Sequence, residues 1–111
     1  MIESYDFGRM IIDGKEYLHD LIVFPDHLKT GWWREEGHRL LMNDLEDVFA
    51  SKPKILVIGT GHTGCLKVDP EIREYCRKNG IKLVEAITSK AVQEFNRLQG
   101  PETVGAFHLT C

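Results

Sequence analysis

The stretch from Ile55 to Ile87 constrains this chain more than any other part of it. Ile55-Leu56-Val57-Ile58-Gly59 is an unbroken apolar run followed by turn residues, which fits a strand covered on both faces. Asp69 can cap a helix that has Pro70 in its first turn. Ile72, Tyr75 and Cys76 make the apolar stripe of that helix, and Gly80 sits where a helix ends. Residues 83–87 form the next strand. Strand, helix and strand in that order make a βαβ unit, whose two strands run parallel through a right-handed crossover. The expected fold class is therefore α/β.

The flanking segments complete a mixed sheet. Asp13-Gly14 lies between Arg9-Met10-Ile11-Ile12 and Lys15-Glu16-Tyr17-Leu18, and such a pair supplies the positive φ angles of a tight hairpin turn. Leu21-Ile22-Val23-Phe24 is a β-rich run closed by Pro25, and residues 29–35 read as one more short strand. Residues 36–42 read as a loop. Asn43 is placed to cap a helix containing Leu45, Val48 and Phe49, with Glu46 at its third position and Pro53 as the stop. Thr88 or Ser89 is placed to cap a third helix, with Ala91, Val92, Phe95 and Leu98 inward, and residues 103–110 form a final apolar strand. With 111 residues and no linker, repeat or low-complexity segment, the chain reads as a single compact domain over residues 1–111 with helices packed on the sheet.

Composition excludes several partner classes. The net charge is −3 and no Lys/Arg run occurs, so nucleic acid is not expected as a partner. No apolar run approaches the roughly 20 residues of a membrane helix, and the first residues lack a secretory pattern, so no membrane partner is expected. Three cysteines, Cys65, Cys76 and Cys111, without framework spacing suggest reduced thiols in a cytoplasmic protein.

Gly59-Thr60-Gly61-His62-Thr63-Gly64 matches G-x-G-x-x-G after a strand, and Glu85 stands about where a ribose-binding acid would. The dinucleotide reading fails on the helix. A fingerprint helix opens within the glycines, whereas Asp69-Pro70 starts this one well past Gly64. A proline inside a helix begun at Gly61 would cost about 3 kcal/mol. No cofactor is expected. What survives is a crevice at the carboxyl ends of the parallel strands, where Gly59, Thr60, Gly61, His62, Thr88, Ser89 and Asn96 are candidates to hold a small anionic ligand.

His62 and Cys65 share that loop, yet nothing in the sequence marks Cys65 as an activated nucleophile. Five histidines occur without a metal-ligand spacing, so neither a metal nor a catalytic constellation is assigned. By period-two alternation His108 falls on the face of Val104 and Ala106, as a core or pocket histidine. Trp32 and Trp33 are adjacent, so on a strand one enters the core and the other faces outward. With Arg34 they are the candidate interface for a protein partner.

Taken together, Trp33-Arg34-Glu35, Val57-Ile58-Gly59-Thr60-Gly61, Leu66-Lys67-Val68, Lys78-Asn79-Gly80-Ile81, Thr88-Ser89-Lys90-Ala91-Val92, Phe95-Asn96 and the final Val104 to Cys111 segment resemble the Mth nine-three-eight domain family. Their order and spacing carry the resemblance along almost the whole chain. Phe95 and Glu102-Thr103 depart from the tyrosine and the basic residue often found there. The resemblance implies helices packed on a mixed sheet, with the last strand antiparallel to its neighbours, and no established catalytic activity. It includes an adipogenesis-associated protein and a mitochondrial assembly factor for respiratory complex I, which favours protein contacts. The combined expectation is a non-enzymatic binding, assembly or regulatory module, with a small anionic-ligand protein or weak enzyme as the alternative and the oligomeric state open.

Overall fold

The computed structural model describes residues 1–111. Its organising strand is β7 (Ile55–Thr60), whose Leu56, Val57 and Ile58 are all fully buried. An unbroken apolar run at period two must put side chains on both faces of a sheet, and both faces are covered here. β7 pairs in parallel with β9 (Lys82–Ala86) on one side and with β10 (Thr103–His108) on the other. Beyond β10, β4 (Leu21–Val23) and β5 (Leu28–Thr30) add antiparallel, giving the order β5-β4-β10-β7-β9.

The expected antiparallel pairing of the last strand holds on the β4 side and is corrected on the β7 side, where pairing is parallel. The reason is topological. Helix α3 (Thr88–Leu98) follows β9, packs across β7 and returns the chain to the edge from which β7 starts. A strand that begins at that edge runs the same way as β7.

Each sheet face has its own core. On one face Ile22, Leu56, Ile58, Val104 and Ala106 meet Val48 of α1 (Glu46–Ala50), Ile72 and Cys76 of α2 (Pro70–Lys78), and Trp32. On the other, Leu21, Val57 and Phe107 meet Ala91, Val92 and Phe95 of α3. That second core also takes Ile2, Met10 and Ile12 from a separate antiparallel sheet, formed by β1 (Ile2–Asp6), β2 (Arg9–Ile12) and β3 (Lys15–Tyr17). Asp13 and Gly14 take φ of 48° and 82° in the β2–β3 turn, the paired positive angles expected of that dipeptide.

Several local expectations change. β5 stops at Thr30, and Trp32 and Trp33 lie beyond it in an arc, because Gly31 turns the chain at φ 63° and the Trp32 amide donates to the Asp20 carbonyl at 2.9 Å. The segment read as a plain loop contains β6 (Arg39–Leu40), paired in parallel with β8 (Lys67–Val68). Two residues per strand are too few to leave a periodic signal. Before α1 a 3-10 turn (Met42–Leu45) intervenes, and Asp44 rather than Asn43 accepts the Leu41 amide, at 2.8 Å. Asp69 does cap α2, accepting the Glu71 amide at 3.0 Å. Thr88 is the first residue within α3 rather than its cap.

Candidate functional site

The carboxyl end of β10 separates two polar neighbourhoods. The first holds the glycine-rich loop and the start of α3. Thr88 is fully buried, and its hydroxyl donates to the His108 carbonyl at 2.6 Å while accepting the Gly61 amide at 2.9 Å. The Thr88 amide donates to the Gly61 carbonyl at 3.0 Å, so the first N–H of the helix, which would otherwise face a ligand, already has a partner. Gly59 permits this close approach: a Cβ there would lie 2.9 Å from both Phe107 and the Thr88 hydroxyl. At Gly61, with φ +107°, a Cβ would lie 2.4 Å from the Cys111 carbonyl oxygen. Glycines and threonine thus interlock where the crevice was expected.

The other residues assigned to that crevice are dispersed. Thr60 donates its hydroxyl to the Ala86 carbonyl at 3.1 Å. His62 stands with its ring edge-on to Phe7, 5.5 Å between centroids, and its Nδ1 is 3.4 Å from the Tyr5 hydroxyl. Ser89 is exposed. Asn96 lies about 12 Å along α3 from Thr88, and its amide clamps β1, accepting the Ile2 amide at 3.0 Å and donating to the Ile2 carbonyl at 2.8 Å. Cys65 has the Thr63 hydroxyl 3.3 Å from its sulfur, while the His62 ring nitrogen faces the Tyr5 hydroxyl, so no hydrogen bond joins the two side chains.

On the opposite side of His108 is a cleft of about 590 Å³. Its floor is an ion-pair network with little water access: the side chains of Arg34, His108 and Asp20 are 6%, 7% and 15% exposed. Asp20 accepts Arg34 Nη1 and His108 Nδ1, each at 2.7 Å, on one oxygen, and the Leu109 amide at 2.7 Å on the other. Burial pushes the Asp20 carboxyl up, but the hydrogen bonds from His108, the Leu109 amide and Arg34 together outweigh it and hold the group below the usual carboxylate range.

The proton on the His108 ring follows from its partner. Nδ1 bonded to a carboxylate carries the hydrogen. The 3.1 Å approach of Arg34 Nη2 to the same nitrogen is then two donors meeting, and Nη2 instead donates to the Gly37 carbonyl at 3.1 Å. Arg34 Nε and His108 Nε2 are buried and have no protein partner. The guanidinium lies 5.1 Å from the centre of the Trp32 ring, within cation–π range. The His38 ring stands edge-on to His108, with 6.5 Å between centroids.

The two tryptophans diverge as adjacent residues should, although no strand holds them. Trp32 is 4% exposed and donates its indole N–H to the Asp44 carbonyl at 3.0 Å, whereas Trp33 is 88% exposed at the lip of the cleft. Arg34, the third residue of the candidate interface, is part of the cleft floor. Asp20 carried no sequence signal; it precedes β4 in a short turn. His108 did, because its alternation class places it inward with Val104 and Ala106, and a polar residue there needs polar company.

Residues 2–108 match the family described as proteins of unknown function, DUF498/DUF598. The chain belongs to that family. Among solved structures, PH1505 from Pyrococcus horikoshii OT3, a conserved hypothetical protein, is similar at 27% identity and TM-score 0.84, covering 100% of this chain and 99% of that one. MT938 matches at 22% identity and TM-score 0.79, covering 100% and 98%. XCC1710 from Xanthomonas campestris matches at 19% identity and TM-score 0.81, covering 98% and 83%. The Mth nine-three-eight resemblance drawn from the motifs is therefore the family found, and the fold extends along the whole chain. No helix is long and apolar enough to cross a membrane.

Proposed function

We propose that this protein is a non-enzymatic binding module that engages a protein partner at the lip of the Asp20–Arg34–His108 cleft. The observation that carries the reading is the presentation of Trp33. An indole 88% exposed is held between two anchored neighbours. Trp32 is fixed by its amide on the Asp20 carbonyl and its indole on the Asp44 carbonyl, and Arg34 by Asp20 and the Gly37 carbonyl. A large apolar surface on a backbone already fixed loses little conformational entropy when covered, which favours it as an interface anchor. Leu18, also exposed, lines the same cleft.

The test is site-specific photo-crosslinking in the native host, with a photoreactive residue at position 33 and, as control, at exposed Lys78 on α2. The reading expects a discrete adduct from position 33 that the control does not give. Equal labelling from both positions, or none from position 33, would sink it.

A second reading, a small anionic ligand, is favoured by a different observation. Arg34 Nε is a buried cationic donor beside the cleft without a protein partner, the kind of group an anion satisfies. His108 Nε2, with the ring proton on Nδ1, would accept from a protonated oxygen of the same ligand. The cleft is a better seat for it than the interlocked Gly61–Thr88 contact. Native mass spectrometry on gently purified protein decides: an adduct of defined mass lost on Arg34→Met supports a ligand there, and an adduct unaffected by that change places it elsewhere.

A further inference from the structure

Three cysteines are free, and their surroundings differ. Cys76 is buried in the core under α2, and burial pushes its thiol up to about 11, which makes it inert near neutrality. Cys65 is half-buried and Cys111 exposed. These two, distant in sequence, are adjacent in space. The Cys65 amide donates to the Cys111 carbonyl at 3.0 Å, and the His62 amide to the Thr110 carbonyl at 2.7 Å, so the glycine-rich loop lies along the 109–111 tail.

That one backbone bond bounds the separation of the two residues. An N···O distance of 3.0 Å, with one N–Cα bond and one carbonyl-to-Cα span added, leaves the Cα atoms at most about 7 Å apart, and about 5–6 Å at ordinary angles. Disulfides span Cα separations of about 4.4–6.8 Å. We infer that Cys65 and Cys111 are a reversible thiol–disulfide pair, oxidised by low-molecular-weight disulfides of the glutathione class, which staples the glycine-rich loop to the tail.

The chemistry balances in two exchanges. The exposed Cys111 thiolate attacks one sulfur of the small disulfide, forming a mixed disulfide and releasing one thiolate, which takes up a proton. The Cys65 thiolate then attacks the Cys111 sulfur, forming the internal bond and expelling the second small thiol. Two protein thiols are oxidised by two electrons, and one small disulfide is reduced to two thiols. Neither cysteine lines the cleft, but the stapled tail contains Leu109, whose amide holds Asp20.

The experiment uses the full chain in dilute solution, equilibrated in buffers of reduced and oxidised glutathione, acid-quenched, alkylated under denaturing conditions and weighed intact. The expected product is a monomer lighter by two hydrogens that takes one alkyl group, on Cys76, in place of three. A peptide map should join Cys65 to Cys111. Cys65→Ser should accumulate the mixed disulfide on Cys111, while Cys76→Ser should leave the internal bond intact. A wild-type chain that carries glutathione on Cys111 with Cys65 still alkylatable at every ratio would overturn the pair. So would a bond between two chains, or a link to Cys76. All of these are read on the wild-type protein, so a variant that fails to fold leaves the test standing.

Discussion

On one side of His108, its carbonyl takes the Thr88 hydroxyl, and Gly61, Thr88 and the Cys111 carbonyl close on one another. On the other, its ring joins Asp20 and Arg34 under a cleft of about 590 Å³, with one nitrogen of the ring and one of the guanidinium lacking a protein partner. Both neighbourhoods lie at the carboxyl end of the same parallel strands, where open α/β sheets bind ligands. The glycine motif marks the first, yet its glycines serve close packing: they let α3 start against β7. The second has no motif and retains the space and the unpaired polar atoms. In this chain Gly59 and Gly61 are accounted for by tight backbone approach, without reference to a phosphate.

The largest expected effect tests whether the first neighbourhood is truly closed. Gly61→Ala adds a Cβ 2.4 Å from the Cys111 carbonyl oxygen at φ +107°. A non-glycine residue at positive φ costs about 1–2 kcal/mol, and displacing packed backbone about 1–3 more. The sum, about 2–5 kcal/mol and centred on about 3.5, should lower Tm by more than about 10 °C in calorimetry. A loss below about 1 kcal/mol would mean that the loop opens easily and the crevice is available after all.

Arg34→Met asks the matching question of the cleft. It leaves the Asp20 carboxylate without its cation in a largely buried site. Breaking such a pair costs about 3–5 kcal/mol when burial is complete, so about 3 kcal/mol by urea denaturation is expected here, where Asp20 keeps some water contact. Adding Asp20→Asn should cost less than it does alone, because the two residues share one network. Strict additivity would show that they do not. Thr88→Val comes next, at about 2 kcal/mol, since it removes a buried hydroxyl that is both a donor and an acceptor.

These residues also show what the sequence could and could not reveal. The run from β7 through α2, β9 and α3 to β10 was legible because each piece carries its own local signal: an unbroken apolar run, an Asp-Pro cap, a helical stripe, a glycine or proline stop. The Asp20–Arg34–His108 network was not, because its members come from a turn, an arc and the end of a strand, and only the assembled sheet brings them together. Thr88 misled for the same reason. A threonine at a helix start reads as a cap, whereas its hydroxyl partners, the His108 carbonyl and the Gly61 amide, are tertiary. Asn96 looked like a crevice residue, and only the docking of β1 on α3 shows that both ends of its amide are engaged.

Acid should act on the cleft side alone. Asp20 is held below its ordinary value in the folded state, with Arg34, His108 and, more remotely, the Tyr5 phenol as the charged or titratable groups around it. Between the folded and unfolded values the unfolded chain binds more protons. The stability contributed by Asp20 is therefore full above the unfolded value, about 4, and is lost as pH falls through the folded one. Stability curves from pH 7 downward should be steeper for the wild type than for Asp20→Asn, and Thr88→Val should keep the wild-type slope. Equal slopes for wild type and Asp20→Asn would show that the network does not bind the carboxylate preferentially.

The smallest stability effect belongs to the residue on which the proposed function most depends. Trp33→Ala removes a side chain that is 88% exposed, so unfolding free energy should change by no more than about 0.5 kcal/mol. Trp32→Ala, one residue away and 4% exposed, should cost about 3 kcal/mol, the lower end for a buried tryptophan. Tryptophan emission separates them as well: loss of Trp33 removes the water-exposed, red-shifted component, and loss of Trp32 the shielded one. A near-neutral Trp33→Ala would leave an intact fold in which the lip of the cleft alone is altered, so any binding lost with it belongs to the surface rather than to folding. If Trp33→Ala instead destabilised the chain by 2 kcal/mol or more, the indole would be supporting the Asp20–Arg34–His108 floor from above, and its exposure could no longer be used as evidence of an interface.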